Sequence, residues 1–261
     1  MSSNIELAFG GQLATIRLKG EPVHTVDEDF PSRLQAALAS IRSRTDVRAL
    51  LLFGQQKVFS AGADVRILKR LSDQNFARRW LQIQHAAMQE LAEFGLPTVA
   101  GVIGAAAGGG MNIALAADYI VAARTSRFVQ AFRGVGLATD MGSVTLLRRR
   151  VGFHKARQLA YTGEPVSGAD GVAIGLVDHV CDAKDVESAA AALATRLASS
   201  PLAAFAAMKS GFAEAENAPL ASALEIERRY QLSVICHQDF DDATTAFLDK
   251  RTPVFRDRPT P

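Results

Sequence analysis

Gly104-Ala105-Ala106-Ala107-Gly108-Gly109-Gly110-Met111-Asn112 lies between an apolar strand-like run over residues 97–103 and an apolar helix-like run over residues 113–117. A strand feeding a glycine cluster at a helix start leaves backbone N–H groups without intrahelical partners, directed at whatever sits above them. Glycine has no Cβ, so a ligand can approach that backbone closely. Upstream, Phe59-Ser60-Ala61-Gly62-Ala63-Asp64 follows another strand-like run over residues 49–53 and is a second candidate donor loop. Two backbone N–H groups converging on one carbonyl oxygen form an oxyanion hole. Such a hole stabilises the charge that develops as a carbonyl compound becomes an enolate.

Outward from these loops, the first half of the chain alternates strand-like and helix-like segments. Residues 5–9 and 13–18 read as a hairpin around Gly10-Gly11. Residues 26–41 read as an amphipathic helix, with Phe30, Leu34, Ala37 and Leu38 at helical spacing. Residues 76–94 read as a long helix with Trp80, Ile83, Ala87 and Leu91 on one face, stopped by Gly95 and Pro97. Residues 97–103 and 119–122 supply the next strands. This alternation predicts parallel strands joined by helical crossovers. After about residue 145 the pattern becomes almost wholly helical. Ser167 reads as an N-cap with Asp170 in the first turn, and Ser200-Pro201 as an N-cap followed by proline at the first helical position. Residues 220–235 and 241–248 complete a helical tail.

Composition sets the outer limits. The 261 residues are long enough for one large core with a smaller helical appendage, and 48% apolar with 21% charged residues suits a soluble globular protein. A net charge of +2 is too mild to argue for a nucleic acid partner, and Arg148-Arg149-Arg150 reads as a solvated face rather than an anion-binding patch. Cys181 and Cys236 are too few for a disulfide framework, which fits a reducing compartment. The N-terminus has neither a basic leader nor an apolar segment, so a cytoplasmic location is expected. Residues 94–117 form an uncharged stretch about long enough to span a bilayer, but Pro97 and the glycines break it into strand, loop and helix. No membrane span is expected.

The chain resembles the crotonase (enoyl-CoA hydratase/isomerase) superfamily over nearly its whole length. The resemblance is carried by Val58-Phe59-Ser60-Ala61-Gly62-Ala63-Asp64, the Gly104 to Gly110 cluster, Arg127-Phe128-Val129-Gln130-Ala131-Phe132 and Gly136-Leu137-Ala138-Thr139-Asp140. It continues through Tyr161 to Ser167, Gly175 to Asp178 and Phe247 to Pro253. Any one segment alone is a weak signal, but their order and spacing together are specific. The resemblance implies an α/β fold, a crotonase-like spiral of ββα turns over residues 1–195, with a C-terminal helical region over residues 196–261 for oligomerisation and CoA binding. It implies an acyl-CoA substrate, no cofactor beyond the coenzyme A of the thioester, no metal, and a homotrimer or dimer of trimers. The oxyanion hole is expected from the N–H groups of Ala63 and Gly109, with Gly108 beside it. The adenine is expected near Ala61, Ala63 and Asp64, although Asp64 also suits a helix cap. Phe247 and Lys250 are expected to reach the CoA of a neighbouring subunit, although a solvated tail charge is the plainer reading of Lys250.

The chain departs from the family where the hydratases carry two glutamates that act on water and on the α-carbon. Matched by the same motifs, Asn112 and Phe132 occupy those positions. Asn does not take up a proton at neutral pH, and Phe has none to exchange, so hydration by the two-glutamate route is disfavoured. Asp140 matches the catalytic aspartate of several relatives, among them the phenylacetate-pathway ring isomerase, dihydroxynaphthoyl-CoA synthase and 4-chlorobenzoyl-CoA dehalogenase. The other reading of Asp140 is a cap for the following helix. His85 matches the dehalogenase's histidine base, which makes a His–Asp pair conceivable, but a polar-face or partner-contacting histidine is the favoured reading. Gln84 and Ala63 replace bulky aromatics of the dehalogenase, so dehalogenation is not the expected reaction. The acyl pocket is expected around Trp80, Gln84, Gln130 and Phe132. His24-Thr25 replaces an Asn-Ala pair common near the CoA pyrophosphate. The expected activity is a double-bond shift with Asp140 moving the proton; the alternatives are weak hydration, with Asp140 or His85 placing water, and a catalytically idle CoA-binding member.

Overall fold

The computed structural model describes residues 3–55 and 57–258. Strands β1 (Ser3–Gly10) and β2 (Leu13–Gly20) form the antiparallel hairpin, and α1 (Phe30–Arg42) follows. Three units of the same plan come next. The first is β3 (Ala49–Phe53), β4 (Val58–Ser60), then α2 (Val65–Arg70) and α3 (Gln74–Ala92). The second is β5 (Thr98–Val102), β6 (Ala105–Ala107) and α4 (Gly109–Leu115). The third is β7 (Tyr119–Ala123), β8 (Arg127–Val129), a short 3-10 turn over Ala131–Val135 and α5 (Ser143–Thr162). In each unit the first strand joins one sheet and the second strand the other. With two later strands, β9 (Val166–Ser167) and β10 (His179–Cys181), the result is a six-stranded sheet in the order β1-β2-β3-β5-β7-β10 and a four-stranded sheet in the order β4-β6-β8-β9.

The large sheet explains why its inner strands read as unbroken apolar runs. In β3, Leu50 and Leu52 enter the main core, while Ala49, Leu51 and Phe53 enter a second core on the opposite face. β5 and β7 divide in the same way, with Ala100 and Ile120 on the main side and Val99 and Val121 on the other. Both faces are therefore buried, as expected of parallel strands. The second face is covered by α7 (Val186–Ala198), whose Val186, Ala190, Ala194 and Ala198 are spaced four apart and fully buried. Small side chains let this helix lie close to the strands. The Phe53 ring occupies the space beside Gly101, where a Cβ would come within 2.2 Å of it.

The region expected to be almost wholly helical contains two strands. β9 (Val166–Ser167) pairs antiparallel with β8, and β10 (His179–Cys181) pairs parallel with β7, on either side of α6 (Gly168–Ala173). They are two and three residues long, too short for a period-2 pattern, and tertiary pairing makes them strands. Ser167 does cap α6, accepting from the Asp170 N–H. Helix α8 (Leu202–Ala215) starts one residue later than expected, because Pro201 itself takes the extended cap position. It is followed by α9 (Leu220–Val234) and α10 (Gln238–Leu248).

Arg150 is spent on Asp178 and on the carbonyls of Ala117 and Asp118, while Arg148 and Arg149 both pair with Glu216. The arginine cluster is thus neither a simple solvated face nor an open anion patch: it fastens α5 to the core and to α8. Buried Arg48 acts similarly, donating to the carbonyls of Ala198, Ser200, Arg256 and Asp257. Asp239 accepts from the N–H groups of Arg256 and Asp257. No single helix is long and apolar enough to cross a membrane among the described residues.

Candidate active site

The two glycine-containing loops meet. Gly62 adopts φ +83°, and a Cβ placed on it would lie 3.3 Å from the Gly109 nitrogen and 2.6 Å from the Ala107 carbonyl oxygen. Only glycine fits there, on grounds of both backbone conformation and space. The segment 24–26 runs beside residues 61–64 and uses up their other polar groups. Ala61 N–H donates to His24 O, Val26 N–H to Gly62 O, and Asp64 N–H to Val26 O. The Ala63 N–H takes no part in this ladder and has no acceptor among the described residues.

Across the junction, Gly108 has φ +50° and ψ −121°, a conformation costly for any residue with a Cβ, and it starts α4. Its own N–H donates to Val129 O. Gly109, the first helical residue, keeps its N–H unpaired among the described residues, as the first turn of a helix must. Met141 packs its sulfur into the space a Gly109 side chain would need, 2.4 Å from that Cβ position. Two free amides therefore stand on touching loops, one of them at the positive end of a helix.

Asp140 immediately precedes Met141, and its carboxylate Oδ1 lies 2.5 Å from His85 Nε2 on α3. His85 lies on the exposed face of α3, and the ring also meets the aspartate, the pairing the sequence made conceivable. Asp140 does not cap α5, whose cap is Gly142 in the left-handed conformation. Behind it lies a buried polar chain that has no local signature among the residues around it. Asn112 Nδ2 donates to the Asp140 backbone carbonyl at 2.8 Å. Gln130 Nε2 donates to Asn112 Oδ1 at 2.9 Å, and the Ser143 hydroxyl donates to Gln130 Oε1 at 3.1 Å. Asn112 and Gln130 are thus fully occupied inside the protein. Gln130, expected beside the acyl chain, instead braces the aspartate's loop. Trp80 stacks on Phe76 within the core, and Gln84 is also buried. Phe132 is half-buried on the 3-10 turn next to Ala131, which faces Gly108.

Asp64 caps α2, accepting from the Arg66 N–H at 2.7 Å and from the Arg66 guanidinium. That guanidinium is the main reason its carboxyl falls to about 2. Ala61 is exposed beside it. Phe247 on α10 is 83% exposed, and Lys250 is exposed with φ +55° just past that helix. No hydrogen bond or ion pair joins either side chain to the loops among the described residues. Nor does any group of three His, Cys, Asp or Glu side chains there converge as metal ligands would.

Comparison with known proteins agrees with this arrangement. Residues 9–258 match the family model described as Enoyl-CoA hydratase/isomerase. A Rhodobacter capsulatus protein named "Probable enoyl-CoA hydratase" is 34% identical over 249 residues, covering 94% of this chain and 95% of that one. The 1,2-epoxyphenylacetyl-CoA isomerase of Escherichia coli K12 is 30% identical over 244 residues, covering 90% and 91%. The crystal structure of an enoyl-CoA hydratase from Polaromonas sp. JS666 superposes with a TM-score of 0.91 at 28% identity, covering 97% of this chain and all of that one. With touching donor loops, a spiral of ββα units and a family match along almost its entire length, the chain belongs to the enoyl-CoA hydratase/isomerase family and has the crotonase fold.

Proposed function

We propose that the protein shifts a carbon–carbon double bond in an acyl-CoA thioester, with Asp140 as the proton-transfer group. One observation carries this reading. The carboxylate beside the Gly109 loop is Asp140, held by Asn112 through its backbone and by His85 through its side chain. The positions matching the two hydratase glutamates hold Asn112, sealed in the core, and Phe132. The thioester oxygen accepts from Ala63 N–H and Gly109 N–H. Asp140 removes a proton from Cα of a 3-enoyl thioester, and the electron pair spreads onto that oxygen as a dienolate. The same carboxyl returns the proton to Cγ, leaving the double bond between Cα and Cβ. Nothing is consumed and no water enters. His85 keeps Asp140 oriented.

The coenzyme A portion lies along Ala61 and Asp64, and Gly108 lets the thioester close on the backbone. Exposed Phe212, Leu220, Leu224 and Phe247 on α8–α10 suit burial between subunits of a homotrimer or dimer of trimers. There Phe247 and Lys250 reach the CoA of the next subunit. The protein works in the cytoplasm, in keeping with its free cysteines. The deciding assay is conversion of 3-enoyl-CoA to 2-enoyl-CoA by wild type and Asp140→Asn; full activity in the variant overturns the assignment. Weak hydration is the second reading, favoured by the exposure of His85, which leaves room for water beside Asp140. It requires water addition to crotonyl-CoA that disappears in Asp140→Asn. Binding of CoA with no turnover on enoyl, dienoyl or aromatic thioesters would instead mark an idle family member.

A further inference from the structure

His24 is fully buried in the strap beside the first donor loop, and its Nε2 has no partner among the described residues. Its Nδ1 lies 2.9 Å from the hydroxyl of Ser60, also fully buried. That hydroxyl accepts the Gly62 N–H at 3.3 Å. Ser60 also packs against the second donor loop. A Cβ on Gly110 would fall 2.5 Å from Ser60 O and 2.8 Å from Ser60 Oγ. One serine therefore touches both arms of the oxyanion hole, and the imidazole fixes which way its hydroxyl points.

A buried ring nitrogen without a partner is destabilising, and a hydrophobic ring of similar size, packed against Phe30 as His24 is, avoids that cost. Packing alone thus gives no reason for an imidazole here; the bond to Ser60 does. Burial, with Arg33 nearby, lowers the ring's pKa to about 4, so it is neutral at working pH. A neutral ring keeps Nδ1 free to pair with a hydroxyl that must also accept an amide proton.

We propose that His24 is a positioning residue for the oxyanion hole. Through Ser60 it fixes the Gly62 peptide, and so aims the next amide, Ala63 N–H, at the same point as Gly109 N–H. Such aiming is worth most where the oxygen becomes negative, because preorganised donors need no rearrangement during the reaction. The inference rests on the proposed oxyanion hole but not on the role of Asp140.

The test uses 3-phenylacryloyl-CoA, whose conjugated carbonyl absorbs further to the red when two hydrogen bonds polarise it. Wild type and Asp140→Asn are expected to show the same red shift on binding, which separates this inference from the proton-transfer assignment. His24→Phe is expected to lose most of the shift, with less than about a threefold change in affinity for CoA itself. His24→Asn, whose amide can reach Ser60, should recover much of it. Ser60→Ala leaves the imidazole in place and should lose the shift as His24→Phe does, so the idea stays testable if His24→Phe does not fold. A full shift in either His24→Phe or Ser60→Ala overturns the positioning role and leaves the proposed reaction standing. No shift in wild type overturns both.

Discussion

The two halves of the proposed site are built from different materials. The electrophilic half is main chain: Ala63 and Gly109 amides on loops fixed by Gly62, Gly108, Ser60 and Met141, all buried. The half proposed to move the proton is side chain: Asp140 and His85, paired at 2.5 Å, with 26% and 54% of their side chains exposed. In the proposed reaction a rigid main-chain half holds the reacting oxygen wherever the acyl group points. An exposed side-chain half is where the chemistry can change, because exchanging one residue there leaves the cradle intact. Asn112 and Phe132 in place of the two hydratase glutamates therefore leave the main-chain half intact.

Breaking the side-chain half should have the largest effect. Asp140→Asn is expected to lower kcat for the 3-enoyl to 2-enoyl shift by about 100- to 10,000-fold with little change in CoA binding, measured by steady-state kinetics and calorimetry. Breaking the main-chain half should be nearly as costly. Gly109→Ala drives its methyl into the Met141 sulfur and is expected to cost on the order of 100-fold in kcat/KM, since a donor is moved rather than deleted. Adding Met141→Ala removes the obstruction and should restore part of that loss. If it restores none, the interlock is not what places the Gly109 amide.

The next effect appears in stability. His24 falls from 6.5 to about 4 in the folded protein, mainly through burial. Between those values the unfolded chain binds a proton that the folded chain refuses. This contribution is whole above about pH 6.5 and is lost as the pH falls toward 4, by about 3 kcal/mol in total. Urea unfolding at pH 7 and at pH 5 should show that slope in wild type and a shallower one in His24→Asn. The smallest effect belongs to His85→Gln. A half-exposed hydrogen bond contributes little, so only about a tenfold fall in kcat is expected, from looser orientation of the carboxylate. A fall as large as that of Asp140→Asn would make the histidine a proton carrier in its own right.

What could be read in the sequence follows the same division. Main-chain features have local signatures: a glycine run after an apolar strand, a second loop with Gly62, and substitution of Asn112 and Phe132 at motif positions. The large sheet was legible because its inner strands are apolar on both faces. Side-chain networks joining distant segments leave no such trace. Gln130 bracing Asn112, Ser143 holding Gln130, and His24 gripping Ser60 span from 13 to 36 positions. Nothing near any of these residues announces its partner. The His85–Asp140 pair was conceivable only through the family match, because 55 positions separate the two residues and it is the packing of α3 against the loop before α5 that brings them together. β9 and β10 were missed for a related reason, being strands by virtue of their neighbours alone.

Arg48 extends one consequence to the far end of the chain. Its buried guanidinium finds two of its four carbonyl acceptors at Arg256 and Asp257, and the same two residues are tied by their amides to Asp239. Trimming the polypeptide back past Arg256 therefore does more than shorten a loose end. It strips half the solvation from a cation next to the first inner strand, so damage done at the terminus is felt beneath the sheet.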